Sequence, residues 1–189
     1  MSEHNDKDTI VKIEEEIRTY LKGENLQIAL DLLDYLKKSE RTWVLSEYHP
    51  EFFYKGEMTC LFAFHKSTLD EATINYLRQM IEGAGNRWVY DPSSTWNICC
   101  WQHEDDIYEP DGFSVDEDVK EFARNNVWKC IRCHADGSCG SLGGRHRVVF
   151  RKEFDNACCN LFQFGNPDDE MLEHIKKLME LEKHIIDDR

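Results

Sequence analysis

Ala157-Cys-Cys-Asn-Leu-Phe-Gln-Phe164, followed by Gly165-Asn-Pro-Asp-Asp169, is the stretch of sequence that decides the fold. Its first part is short and rich in apolar and aromatic residues, as is typical of a β-strand. Asn166 then offers a helix cap, Pro167 suits the first helical position, and the acids that follow suit the positive end of the helix dipole. The helix is expected to bury Met171, Leu172, Ile175, Leu178, Met179 and Ile185.

Upstream of this stretch the pattern alternates between strands and helices. A strand over residues 145–152 and a turn at Asp155-Asn156 would form a hairpin with the strand over residues 157–164. Further strands are predicted over residues 43–45 and 58–64 and in a hairpin over residues 87–101. Capped helices are predicted after Thr68 and from Ser114. The sequence therefore predicts an α+β fold in which helices pack on one face of an antiparallel sheet.

The N-terminal segment has the periodicity of two helices. Apolar residues recur at helical spacing over residues 9–21 and 26–38, and Gly23-Glu-Asn25 breaks the pattern with Asn25 as the next cap. A DNA-reading helix pair is disfavoured because the second helix carries Asp31 and Asp34 and has its lysines only at the end. We predict a helical pair over residues 1–40 and an α+β domain over residues 41–189, together forming one compact unit.

Composition and charge limit the classes of function. The chain has 189 residues, 41% of them hydrophobic, and a net charge of −14. No stretch approaches the roughly 20 apolar residues of a membrane helix, and the polar, acidic N-terminus is unlike a secretory signal. Eight cysteines without an export signal indicate a reducing compartment, so we predict a cytoplasmic protein that does not bind membranes. The negative charge disfavours general affinity for nucleic acid.

Four cysteines in the last third of the chain form the candidate metal site. Three lie in Cys130-Ile-Arg-Cys133-His-Ala-Asp-Gly-Ser-Cys139, and the fourth is Cys158. Four thiolates suit a tetrahedral structural zinc, although two tight pairs would be the usual arrangement. Buried, unreactive thiols and a redox pair are the other interpretations. His134 or His146 could replace one thiolate.

The remaining cysteines and the adjacent histidine give weaker signals. Four cysteines lie in predicted strands and are expected to be packed thiols: Cys60, Cys99, Cys100 and Cys159. Cys133 and His134 are neighbours in sequence, but adjacent side chains of an extended chain point apart, so they do not define a catalytic dyad. No phosphate loop, nucleophile elbow or dinucleotide fingerprint is present in the sequence. We therefore predict no catalytic residue.

A basic segment follows an acidic run. Residues 124–152 contain seven Lys or Arg against one acid, whereas residues 104–121 contain nine acids against one lysine. We expect the two to face each other, because opposite charges brought together leave little free positive surface for phosphate. Nucleic-acid contact through residues 124–152 is kept as an alternative.

Aromatic residues are concentrated in the predicted sheet. They are interpreted either as core and rim or as the wall of a cavity for a planar or cationic small molecule. In the second case the acids of residues 104–106 would form its mouth. The candidate ligand-binding residues are Trp88, Tyr90, Trp96 and Trp101.

The C-terminal part of the chain, about 70 residues, resembles a family of small bacterial proteins with no assigned activity. The resemblance lies in the Cys130, Cys133 and Cys139 segment, in Val-Phe-Arg-Lys-Glu-Phe-Asp-Asn-Ala-Cys over residues 149–158, and in Phe-Gly-Asn-Pro-Asp over residues 164–168. It supports a four-cysteine site and implies no substrate. The family pattern leads us to expect a glycine where Arg151 stands and one cysteine where Cys158-Cys159 stands, and the arginine argues against a tight turn there.

These observations lead to one predicted function and two alternatives. We predict a non-enzymatic small-molecule-binding or regulatory module whose cofactor is a structural zinc. The first alternative is a thiol- or metal-dependent enzyme that uses the region of Cys133, His134 and His146. The second is nucleic-acid contact through the basic segment.

Overall fold

The computed structural model describes residues 7–46, 49–64, 96–101, 106–130 and 144–189, with the exception of the side chains of residues 159 and 160. Within these ranges the chain forms four helices, which are α1 (Lys7–Tyr20), α2 (Gly23–Lys38), α3 (Glu117–Asn125) and α4 (Asp169–Asp187). The strands are β1 (Thr42–Leu45), β2 (Pro50–Tyr54), β3 (Glu57–Phe64), β4 (Trp96–Cys100), β5 (Val127–Lys129), β6 (Arg145–Val149) and β7 (Lys152–Gly165). The helix predicted after Thr68 and the first strand predicted in the hairpin over residues 87–101 lie outside the described residues.

The strands form one antiparallel sheet, which confirms the mixed α+β class. Its order is β1-β2-β3-β4-β7-β5, and β6 pairs with β7 as well. The central element is β7, whose 14 residues pair with β4 near its end and with β5 and β6 nearer its start. Strands β2 and β5 were not predicted, because each is short and its neighbours in sequence are polar. None of the described helices is long and apolar enough to cross a membrane.

Helices of the described part pack on one face of the sheet. The register pairs Phe64 with Trp96 and Ile98 with Phe164, so these side chains share a face. Three helices contact this face. Tyr20 of α1 stacks on Phe64, and Asn25 of α2 accepts a hydrogen bond from Trp96. Phe122 of α3 stacks on Phe164. Helix and sheet residues therefore belong to one buried core.

The predicted helices that fall within the described residues are present, but their caps differ from expectation. Asn25 does not cap α2: the cap position is Lys22, and the Asn25 side chain accepts a hydrogen bond of 3.2 Å from Trp96 Nε1. Helix α4 is capped by Asp168, whose Oδ1 accepts from Met171 N at 2.8 Å. Asn166 is thus not the cap. Helix α3 begins at Glu117 after Asp116, later than the Ser114 start that the sequence suggested.

The C-terminal hairpin turns at a different place from the one predicted. Strands β6 and β7 are joined by Phe150 and Arg151, because Val149 pairs with Lys152. A tight turn at Arg151 was considered unfavourable from the sequence, and that prediction was wrong. Asp155-Asn156, predicted as the turn, lies inside β7, where Asn156 has a φ of +60° and the register with β6 shifts. The turn-forming residues therefore produce an irregularity within a long strand.

Candidate metal centre

Two of the four predicted metal ligands lie within the described residues. Cys130 follows β5 and is half-buried, whereas Cys158 lies in β7 and is 5% exposed. Cys133 and Cys139 lie outside the described residues. Strands β5 and β7 are paired, with Lys129 opposite Ala157, so the residues that precede the two described cysteines are neighbours across the sheet.

Asn156 joins both ends of the segment that carries Cys133 and Cys139. Its carbonyl oxygen accepts from Cys130 N at 2.7 Å, and its Nδ2 donates to the Cys130 carbonyl oxygen at 3.1 Å. Its Oδ1 accepts from Gly144 N at 3.0 Å. Residues 130 and 144 are therefore held at one point, two positions before Cys158 in β7.

The backbone geometry at this point requires glycine at position 144 and favours asparagine at position 156. A Cβ at Gly144 would lie 2.2 Å from the carbonyl carbon of Asn156, so only glycine fits. Asn156 itself has a left-handed backbone, which asparagine adopts more readily than most residues. Neither residue was singled out for this role from the sequence. The Asp-Asn pair predicted a turn, but nothing local in the sequence indicated the contact with Gly144.

His146, the described histidine that was considered as a replacement for one thiolate, lies beside Asp155. Its Nδ1 is 3.0 Å from Asp155 Oδ1, and this hydrogen bond is the main cause that raises the pKa of His146 above its usual value. A carboxylate on one ring nitrogen is common in metal-ligating histidines, so this pairing is compatible with ligation through the other nitrogen. Among the described residues no group of three potential metal ligands is found, and only two of the four cysteines belong to that part of the chain.

The described tryptophans of the candidate ligand cavity are core residues. Trp96 is fully buried and packs edge-on against Phe62 with ring centroids 5.7 Å apart. Trp101 is 1% exposed and packs against Phe162 at 6.3 Å. Neither ring presents an open face to a ligand. Trp88 and Tyr90 lie outside the described residues, and a ligand-binding role for them stays a prediction.

Three of the cysteines interpreted as packed thiols are buried in strands, as expected: Cys60, Cys99 and Cys100. Cys60 lies directly opposite Cys100 in the register of β3 and β4. Burial, followed by the hydrogen bond with Cys60, raises the pKa of the Cys100 thiol. A protonated, inaccessible thiol is a poor nucleophile. The side chain of Cys159 lies outside the described residues.

A buried arginine next to these cysteines was missed from the sequence. Arg41 is 1% exposed and donates to Thr59 Oγ1 at 3.2 Å, to Ser39 Oγ at 2.7 Å and to the Met179 carbonyl oxygen at 2.8 Å. It joins the end of α2, strand β3 and helix α4. No local pattern could have indicated this, since two of its three acceptors are far away in sequence.

The acidic run lies against the basic segment in the described part of the chain. Arg124 Nη1 is 2.7 Å from Glu117 Oε1, and Asp106 Oδ1 accepts from Val148 N at 2.8 Å. Ile107 also forms a bridge with Val149. Part of the positive charge of residues 124–152 is therefore neutralised within the fold.

No protein-family model, curated protein or solved structure matches the chain. The resemblance of the C-terminal part to a bacterial family stays a prediction.

Proposed function

We propose that this chain is a non-enzymatic binding or regulatory module stabilised by one structural zinc. The ligands in this proposal are the thiolates of Cys130, Cys133, Cys139 and Cys158. A closed four-thiolate site supplies folding energy and leaves no open position for a substrate. Thiolate ligands need a reducing compartment such as the cytoplasm.

The observation that supports the zinc most strongly is the junction at Asn156. Asn156 forms hydrogen bonds with both Cys130 and Gly144. The 13 residues between Cys130 and Gly144 therefore start and end beside β7, the strand that carries Cys158. Closing this segment costs loop entropy, which a metal bound only in the folded state would offset. The spacing of Cys133 and Cys139 inside the segment is short enough for both to reach the same ion.

The two alternatives have less support. For the first alternative, Cys133 and His134 lie outside the described residues, and the described His146 is already paired with Asp155 Oδ1 at 3.0 Å. Nucleic-acid contact would draw on the positive charge of the basic segment, and the pair between Arg124 and Glu117 neutralises part of that charge.

Metal analysis of the purified protein tests the proposal. We expect one zinc per chain, released by a thiol-blocking mercurial with four thiols consumed. Cobalt(II) exchanged into the site should give the charge-transfer absorption of tetrathiolate ligation. Cys158→Ser should lose the zinc, whereas the matched variant Cys100→Ser, which changes a buried cysteine outside the set, should retain it.

Circular dichroism of each variant separates loss of metal from loss of fold. A wild-type protein that binds no zinc would contradict the proposal, as would full retention of zinc in Cys158→Ser. A thiol that is alkylated rapidly at neutral pH in the zinc-loaded protein would favour the enzymatic alternative, because it would reveal an activated thiolate.

A further inference from the structure

Two hairpins of the sheet close with the same kind of two-residue turn. In the β2–β3 hairpin the turn residues are Lys55 and Gly56, with φ of +48° and +86°. In the β6–β7 hairpin they are Phe150 and Arg151, with φ of +46° and +67°. Turns with positive φ at both central residues favour glycine at the second position. The first hairpin follows this preference, and the second has an arginine there.

Packing explains the left-handed conformation of Phe150. Its side chain is 6% exposed and belongs to the main core cluster. Its amide donates to the Ile107 carbonyl oxygen at 2.8 Å, and its own carbonyl oxygen accepts from Arg124 Nη2 at 3.1 Å. Burial and these two hydrogen bonds offset the backbone strain at this position.

Nothing comparable explains Arg151. Its side chain is exposed, and within the described part of the chain it makes no hydrogen bond and no ion pair. Its charge lowers the pKa of Glu109, but as the last of several causes, of which the hydrogen bond from Lys120 is the largest. A left-handed backbone is unfavourable for a residue with a Cβ. At this position glycine would serve the fold better than arginine.

Arg151 lies at a groove of suitable size for a small ligand. Two adjoining cavities of about 470 and 360 Å³ share Glu117, Arg124, Phe150 and Arg151 in their walls. Small-molecule pockets are commonly about 300–1,000 Å³. Arg124 is held in place by Glu117 and by the Phe150 carbonyl oxygen, so one wall of the groove is preorganised.

The charges of the groove indicate the class of ligand. Glu117 pairs with Arg124 and Lys120, which leaves Arg151 and the adjacent Lys152 as cations outside any ion pair of the described residues. Lys152 lies over the Phe154 ring at 5.1 Å. Glu121 lines the larger cavity, and Glu109, which is paired with Lys120, lines the smaller one. These carboxylates disfavour highly charged anions. A guanidinium binds carboxylate and phosphate oxygens in a two-point geometry.

We propose that the groove at the β6–β7 turn binds a small molecule through a carboxylate or phosphate group, with Arg151 as the main contact and Lys152 beside it. This inference gives the binding role proposed above a site and a ligand class, and it does not depend on the zinc.

The test uses the full chain and two probes, inorganic phosphate and acetate, with chloride at matched ionic strength as reference. Backbone-amide NMR spectra should shift at residues 150–152 with phosphate or with acetate, and the responding probe identifies the oxyanion. Arg151→Gly should abolish these shifts while raising the folding equilibrium constant roughly two- to fivefold, since it relieves the left-handed strain but makes the unfolded chain more flexible.

Lys55→Asn is the matched control, because it removes a cation from a left-handed position of the other hairpin and should leave the shifts intact. The inference is overturned by any of three results: no shift beyond that of chloride, shifts that persist in Arg151→Gly, or a less stable Arg151→Gly protein. Zinc content is measured in the same samples, so that failure of the groove and failure of the zinc site can be told apart. A wild-type protein that retains zinc but binds neither phosphate nor acetate contradicts the groove proposal and leaves the zinc proposal intact.

Discussion

Asn156 and Gly144 approach more closely than a side chain at position 144 would permit. The Gly144 amide donates to Asn156 Oδ1 at 3.0 Å, and a Cβ on Gly144 would lie 2.2 Å from the Asn156 backbone. The contact joins the start of β6 to the irregular part of β7. It also brings the end of the cysteine segment back to its beginning, because the same asparagine bonds Cys130.

Gly144→Ala should separate these two backbones. We expect a loss of roughly 1–3 kcal/mol in the free energy of unfolding, as for overpacked sites, because the clash is with backbone and not with a flexible side chain. Urea denaturation measures the loss. Gly23→Ala is the control: its φ is +58° but its surroundings are open, so it should lose less stability and keep its zinc. Equal losses in the two variants would show that close approach is unimportant at Gly144.

Asn156→Gly should weaken the junction while preserving its backbone. Glycine adopts a φ of +60° without strain, but it removes the side-chain hydrogen bonds to Cys130 and Gly144. We expect a loss of about 1–2 kcal/mol and faster transfer of zinc to a chelator. Asn126→Gly is the control. It removes the hydrogen bond that the Asn126 side-chain amide donates to the Phe122 carbonyl oxygen at the end of α3, and it should leave the rate of zinc transfer unchanged. An unaltered rate in Asn156→Gly would contradict the role given to this residue.

Glu109 should contribute stability that depends on pH. The hydrogen bond from Lys120 and then the one from the Val115 amide lower its pKa in the folded protein. A lowered pKa means that the contribution is present above the unfolded value near 4.5 and is lost as the pH falls through the folded value. The wild type should exceed Glu109→Gln in stability at neutral pH by less than about 1 kcal/mol, and the difference should shrink below pH 4.5. Urea midpoints across this range are the measurement, and a difference that grows in acid would refute the assignment.

Arg41→Met should be strongly destabilising. The substitution removes the charged donor that hydrogen-bonds the buried Ser39 and Thr59 hydroxyls and the Met179 carbonyl oxygen. We expect a loss of about 3–5 kcal/mol, because hydrogen bonds to a charged group contribute about 1.5–3 kcal/mol each. Arg18→Met is the control, because Arg18 pairs with Glu14 on the exposed side of α1 and should change stability by less than about 1 kcal/mol. Similar midpoints for the two variants would show that the Arg41 cluster adds little.

Much of the secondary structure could be predicted from local patterns. The helices at the N-terminus and the C-terminus, strands β1 and β3, and the second strand of the C-terminal hairpin follow the spacing of apolar residues. The caps were predicted less well. Asn25 is a good capping residue by type, but its side-chain oxygen accepts a hydrogen bond from the Trp96 indole instead, because a buried indole N–H needs an acceptor.

The sequence by itself determined the α+β class, because periods of 2 and 3.6 residues are local and decide which face of each element is buried. It also indicated which four cysteines are candidate metal ligands, because their spacing along the chain is visible in the sequence. Only the tertiary structure decided that the C-terminal hairpin turns at Arg151, that Arg41 is a core residue and that Asn156 joins Cys130 to Gly144. Each of these depends on partners brought together by strand register or helix packing, and a hydrogen bond between distant residues leaves no trace in local spacing.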